Sequence, residues 1–399
     1  MTEEKNIVDN SNVRWGEFLK DVIICSLGAY GGPEAHFGVF MQQLVVKKNY
    51  LTEDEITELM ALMIILPGPS STQTIVSIGY KIGGPMLGFL TMIVWGLPAI
   101  AIMTALSFLS QFLISRNISQ DGLRYIGPMA VGFIIVAAVR IGRKVLVDKV
   151  TIFLMLFSAL ATYFIRATWI FPLVLVLGGV LSVVTTGEKN LWNRISLNPP
   201  WKYLIAFLIF AIGALTFNFI FDNRLISLFE SFYRYGYLVI GGGQVVVPLM
   251  YSEMVEVNHY LISQEFLTGY GIVQGIPGPM FSFSAYAGGM ASQGINVFYQ
   301  ILGALISGVA IFLPGILLIY FFYPIWEEVK MIRGIKVSLR GITAVASGLI
   351  ITAAVILMQN SGFRIDNFIV MSITIVLLYS KKIPSPLIVL LAIVAGFIV

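Results

Sequence analysis

Ser70, Ser71, Thr72 and Gln73 follow Pro67-Gly68-Pro69 in sequence that is otherwise apolar. Three hydroxyls and an amide at the start of a helix suit the binding of an oxyanion. The first N–H groups of a helix have no internal partner, and its dipole adds positive charge at that end. Hydroxyl and amide donors then complete the shell without burying a full cation. Proline suits the break because it fixes φ and forfeits a donor that would be orphaned there. The same break returns as Pro277-Gly278-Pro279, followed by Ser282 and Ser284. A second pair of breaks is Gly31-Gly32-Pro33 and Gly241-Gly242-Gly243, followed by Glu34 and His36 in the first case and Gln244 in the second. Such glycines admit a ligand or a neighbouring backbone. The plainer alternatives are helix kinks with hydroxyls bonded back to carbonyls, or tight turns and helix packing. Paired breaks at matching positions of two membrane halves favour a ligand site.

Other chemistry is sparse. Glu34 or His36 is a candidate for a coupling proton, since an ionisable group inside a membrane is functional by default. Arg124 and Arg340 occupy matching positions, and a guanidinium suits a tetrahedral dianion. Interfacial snorkelling is their ordinary alternative. Glu55 and Glu265 also match, and their place at helix starts reads as capping. Two histidines and the single Cys25 are too few for most metal sites, and no phosphate-binding Gly-Lys loop occurs. No metal, cofactor or enzymatic activity is expected. Cys25 reads as a small buried hydrophobe.

The elements that must hold these residues are apolar helices. The 399 residues are 57% hydrophobic and 12% charged, against roughly 25% charged in soluble domains. This is an integral membrane protein. Its net charge of +4 then reports orientation in the bilayer rather than nucleic-acid binding. The polar Met1 to Lys20 stretch lacks the features of a cleavable signal peptide.

Two halves are related by an offset of 210. It joins Leu66-Pro67-Gly68-Pro69 to Ile276-Pro277-Gly278-Pro279, Tyr50-Leu51 to Tyr260-Leu261 and Arg14 to Arg224. Farther on the offset is 216, joining Leu97-Pro98 to Leu313-Pro314 and Leu123-Arg124 to Leu339-Arg340. Half two therefore holds six extra residues between Met280 and Leu313, with the loop around Ala291 to Asn296 as the expected place.

In half one, helices are predicted over 15–27, 34–46, 56–66 and 70–82. Each is too short for a bilayer of about 30 Å at 1.5 Å per residue. They read as two re-entrant broken hairpins, followed by about four membrane segments at 86–111, 126–140, 150–165 and 170–186. Residues 1–187 form the first repeat. Residues 188–223 form a cytoplasmic loop and a linking transmembrane helix, Trp201 to Phe221. Residues 224–399 form the second repeat.

Loop charge reverses between the halves. Arg140, Arg143, Lys144 and Lys149 are answered in half two by Arg364 alone, while Lys330, Arg333 and Lys336 answer the lone Arg116. That reversal predicts an all-α polytopic protein of two inverted-topology repeats, with a cytoplasmic N-terminus.

The runs Gly31-Gly32-Pro33-Glu34-Ala35-His36, Tyr50 to Glu55 and Leu66 to Gln73 resemble the chromate ion transporter family. Gly241 through Pro248, Leu261 to Glu265 and Ile276 to Pro279 resemble the second domain of its long, two-domain members. The resemblance covers nearly the whole chain. It implies a secondary transporter in the cell membrane that expels chromate, with sulfate as a related oxyanion. The partners it implies are a small inorganic oxyanion and the lipid bilayer. A homodimer is left open. The alternatives are a carrier of another small anion and a non-transporting, lipid-handling membrane protein with a groove open to lipid.

Overall fold

A computed structural model of the chain describes residues 13–109, 112–113, 116, 119–145, 147–188, 191–192, 197–240 and 243–398. The side chains of Glu34, Ile64, Ile65 and Lys144 fall outside that description. Among the described residues every regular element is helical. Half one runs α1 (Trp15–Gly28), α2 (Pro33–Phe40), α3 (Glu53–Ile65), α4 (Ser70–Leu106), α5 (Ile126–Val145), α6 (Lys149–Phe164) and α7 (Ile170–Thr185). The linking helix is α8 (Trp201–Ile220). Half two runs α9 (Arg224–Leu238), α10 (Val247–Tyr251), α11 (Ser263–Val273), α12 (Phe283–Ala291), α13 (Val297–Ala310), α14 (Leu313–Phe322), α15 (Trp326–Val329), α16 (Arg333–Ser361), α17 (Ile365–Ser380) and α18 (Ser385–Ile398).

The repeat read from sequence is present in the backbone. Gly68 and Gly278 both have positive φ, as do Gly84 and Gly294, and so do the non-glycine residues Asn49 and His259. Each pair is 210 apart. A π-helical turn, Met41–Lys47, continues α2, and another, Ser252–Val257, continues α10 at the matching place. π-Turns inside helices are rare and concentrate at functional sites, so its recurrence is a property of the repeat. Because Gly84 and Gly294 still keep the first offset, the six extra residues of half two enter after Gly294. Helix α4 contains both the 70–82 arm and the first long segment. They meet at Gly83-Gly84-Pro85, where the backbone leaves helical angles.

Among the described residues, five helical stretches are long and apolar enough to cross a membrane: Ser70–Leu106, Asp121–Arg143, Trp201–Ile220, Val297–Val329 and Arg333–Ser361. The linking helix α8 is almost wholly exposed on the outside of the bundle. Helix α16 packs against α5, α6 and α7 of the other half, and α17 against α5. Small residues permit this closeness. The Ser158 hydroxyl donates to Val345 O (3.0 Å), the Ser182 hydroxyl donates to Val337 O (2.8 Å), and Thr162 and Thr352 hydroxyls meet at 3.0 Å. Without a hydrophobic driving force between helices in lipid, such packing and bonding supply the association. The result is a scaffold against which the broken helices are held.

The capping expectation holds. Thr52 N–H donates to the Glu55 carboxylate while Glu55 N–H donates to the Thr52 hydroxyl, and Ile262 N–H donates to Glu265. Glu55 also pairs with Lys81.

Candidate functional site

The two Pro-Gly-Pro breaks are each bonded to the other half. Gly68 N–H donates to Val239 O (2.7 Å), and Gly278 N–H donates to Ala29 O (2.8 Å). Position 239 is position 29 shifted by 210, so one hydrogen bond occurs twice with the halves exchanged. A contact in which i meets j and j meets i is isologous, the kind a two-fold axis generates. Ala29 and Val239 end the helices that lead into the glycine breaks. Thus each half's first break meets the other half's second break.

A second exchanged contact lies beside the first. A Cβ added at Gly278 would lie 2.9 Å from Ala99 Cβ, and one added at Gly315 would lie 3.4 Å from Gln73 Nε2. Ala99 and Gly315 match at the offset of 216, just after Pro98 and Pro314. The proline-led segment of each half therefore covers the Pro-Gly-Pro tip of the other.

Around this shared backbone the side chains differ. In half one the Thr72 hydroxyl accepts from Trp95 Nε1–H (3.1 Å), and Trp95 meets His36 edge to face with ring centroids 5.5 Å apart. Trp95 is held in turn by the Ser26 hydroxyl, which donates to its carbonyl (2.8 Å). Gln73 folds back over the first turn of α4 and donates from Nε2 to Pro67 O (2.8 Å). His36, Thr72 and Gln73 are all buried. His36 Nδ1 and Gln73 Oε1 have no partner among the described residues. Ser70 and Ser71 are half-buried at the start of the same turn. Thr74 is spent on its own helix, donating to Ser70 O.

In half two the matching positions are Val246 for His36, Ser282 for Thr72, Phe283 for Gln73 and Ile311 for Trp95. Ser282 Oγ is buried without a partner among the described residues, and Ile311 has no side-chain N–H to give it. Ser284 donates back to Phe281 O (2.7 Å), the bland outcome anticipated for break hydroxyls. Among the described residues Gln244 reaches the Met280 sulfur, at 3.9 Å.

The remaining sequence candidates are placed as follows. Pro67, Pro69, Pro277 and Pro279 flank the two tips, and Pro69 and Pro279 sit at the N-cap positions. Gly31 and Gly32 have positive φ, and Gly31 approaches the Ser385 hydroxyl at the start of α18. Gly241 and Gly242 lie outside the described residues, as does the Glu34 side chain. Arg124 and Arg340 are not at the breaks' hydrogen bonds. Arg124 pairs with Asp366 and Arg340 with Asp148, each across the halves. Both guanidinium groups already carry a carboxylate.

Several residues escaped the sequence reading. Trp95 and Ser26 read as ordinary helix residues, since only the fold brings them to Thr72. Asp21, buried in α1, accepts from Gln43 (2.8 Å) and Tyr50 (2.7 Å), with Lys48 at 3.4 Å. In half two Arg234 bridges the buried Glu230 (2.7 Å) and Glu253 (2.8 Å), and Tyr235 donates to Glu253. Both networks tie the first helix of a half to its π-turn. The signal was there: ionisable residues in apolar runs, with Glu230 and Arg234 at i,i+4.

An apolar groove of about 470 Å³ lies between α8, α9 and α13, lined by residues such as Phe210, Phe217 and Phe229. No polar group converges on it, so it is not where an anion would bind.

The sequence profile described as chromate transporter matches residues 17–183 and 226–397, once in each half. The chain belongs to the chromate transporter family. Similar curated proteins include a probable chromate transport protein of Synechococcus elongatus, 26% identical over 93% of each chain. A chromate transport protein of Pseudomonas aeruginosa is 26% identical over 86% of this chain and 80% of its own. An uncharacterized transporter of Methanocaldococcus jannaschii is 25% identical over 93% and 91%. No solved structure matches the chain. This chromate transporter family member is a multi-pass membrane transporter of two repeats, and the family's two matched segments coincide with the halves whose breaks meet.

Proposed function

We propose that this protein is a secondary carrier of a tetrahedral oxyanion, chromate foremost and sulfate next, bound at the N-terminus of α4 near the membrane midplane. The relatives named for chromate transport support the substrate class. One observation carries the site: the Pro-Gly-Pro tip of each half is bonded to the residue that leads into the glycine break of the other, and in half one the tip is followed by the buried Thr72 and Gln73, with Trp95 joining Thr72 to His36. Ser70 to Thr72 offer backbone N–H groups, Thr72 offers a hydroxyl, and Ser282 and the half-two tip shape the far wall. Broken helices presenting their N-termini to an anion at a repeat interface are a recurrent carrier design.

In this reading the repeats are inverted about an axis in the membrane plane. The charge reversal and the exchanged hydrogen bonds both support it. Rocking one half against the other would open one exchanged contact while keeping its twin. The N-terminus is cytoplasmic and the membrane is the plasma membrane. Glu34 and His36 are the candidates for a coupling proton. The lipid-facing groove beside α8 supplies the one feature expected of a lipid-handling protein, but it holds no headgroup-binding side chain.

The test is uptake of labelled chromate by purified protein in liposomes. Saturable uptake that is at least tenfold weaker in Thr72→Val, with folded yield unchanged, is the expected result. Uptake indistinguishable between wild type and Thr72→Val would remove α4 as the site.

A further inference from the structure

The Gln73 amide has one free face, and it is an acceptor. Its orientation is fixed, because Pro67 O accepts only and must therefore receive the Nε2–H group (2.8 Å). Oε1 consequently points away from Pro67. Among the described residues it has no partner, and Gln73 is 1% exposed. The side chain folds back over the N-terminal turn of α4 and lies between Gly68 and Gly315 of the other half. This carbonyl oxygen lies at the Pro-Gly-Pro tip, 3.3 Å from where a Cβ on Gly68 would sit, and beside a fully ionised anion at that tip its negative end would face negative charge. An O–H group carried by the anion would satisfy it.

Next to it the donors are arranged the opposite way. The Thr72 oxygen already accepts from Trp95, which leaves its O–H to donate. The backbone N–H groups of the first turn are donors only. Donors for the charged oxygens and one acceptor for a hydroxyl together fit a singly protonated tetrahedral oxyanion.

Resting on the carrier reading above, we infer that the site takes the protonated monoanion, such as hydrogen chromate or dihydrogen phosphate, in preference to a dianion. Half two has Phe283 at the matching position, so this selection belongs to half one alone. A site that hydrogen-bonds a substrate O–H rejects analogues lacking it, because its own polar group is then left unpaired. Leaving one buried acceptor unpaired corresponds to about a ten- to hundredfold preference.

Ionisable groups on the elements packed against α4 offer few rivals. Asp21 is held by Gln43, Tyr50 and Lys48, and Glu55 by Lys81. Tyr320 donates to Pro85 O and Tyr286 to Glu265 O, while Cys25 is buried on α1. His36 of α2 and Tyr270 of α11 keep buried, unpartnered atoms. Protonation of His36 would favour every anion alike, and the experiment is built to separate that case.

Liposomes containing the purified carrier would be assayed for labelled chromate and labelled sulfate uptake at pH values on either side of chromate's own neutral-range pKa. Sulfate stays a dianion throughout. The inference expects chromate uptake to rise on the acid side in step with hydrogen chromate while sulfate uptake stays low and flat. In Gln73→Met the discrimination between the two anions should shrink about tenfold. Chromate uptake that ignores pH, or chromate and sulfate rising together on the acid side, would overturn the inference and leave the carrier reading intact. No uptake of either anion would overturn both. The wild-type comparison decides the matter even if the variant fails to fold.

Discussion

The two broken-hairpin regions share a backbone and differ in chemistry. Both have a positive-φ glycine between prolines, a π-turn at the same register, and a hydrogen bond to the opposite half. Around them half one places His36, Thr72, Gln73 and Trp95, while half two places Val246, Ser282, Phe283 and Ile311. The backbone is therefore what duplication preserves, because the breaks must fit one another across the interface. Side chains are free to diverge, and the polar ones have collected on one side. In the proposed carrier an anion needs one ring of donors, and a second buried ring would leave more groups like Ser282, which has no partner among the described residues.

The largest effect should come from bulk at the shared backbone. Gly68→Val and Gly278→Val place a side chain at φ +134° and +103°, against Gln73 and Ala99 respectively. Backbone strain of this kind costs about 1–3 kcal/mol before any clash is counted. Both variants should lose nearly all chromate uptake at matched protein levels. Normal uptake in either would break the idea that the two tips are equivalent.

A smaller and unequal effect should follow from the side chains. Thr72→Val leaves the Trp95 N–H unpaired and removes a donor, worth about 1–3 kcal/mol or roughly ten- to a hundredfold in affinity. Ser282→Ala removes an atom that has no partner and should leave binding within about twofold. Isothermal titration of the two proteins with chromate reads the difference directly. Equal losses would mean the halves share recognition.

The inversion can be tested by labelling. After Cys25→Ser, single cysteines at Arg116 and Lys330 occupy corresponding loops. An impermeant maleimide applied to oriented vesicles should reach one and not the other. Labelling of both from the same side is incompatible with inverted repeats.

The smallest effect should come from the arginines. The Thr151 backbone N–H, together with Arg340, holds the Asp148 carboxyl below its ordinary range. A depressed carboxyl contributes stability above its unfolded pKa and loses it as pH falls through the folded value. Arg340→Gln should therefore lower the melting temperature slightly at neutral pH and not at all in acid, with chromate affinity unchanged. A large loss of affinity would return Arg340 to the site.

Much of this was legible in the sequence. The offset of 210, both Pro-Gly-Pro breaks, the Gly31-Gly32 break and the capping glutamates are local patterns, and local patterns survive into the fold. The partners were not legible. Nothing near Gly68 announces Val239, and nothing near Arg124 announces Asp366, because such pairs are fixed by how two halves dock. Trp95 was hidden for the same reason. Its indole N–H finds Thr72 only once α4 bends at Gly83-Gly84. The buried networks of Asp21 and Arg234 were visible as charges in apolar runs, yet their role as ties to the π-turns needed the fold.

The anion is proposed to sit at the half-one break. Anomalous scattering at the chromium edge, from crystals grown with chromate, tests it most directly. One peak is expected at the N-terminus of α4, within hydrogen-bond reach of the Ser70 to Thr72 backbone and the Thr72 hydroxyl. A peak beside Arg124 or Arg340, or one at Ser282 with none at Thr72, would contradict it.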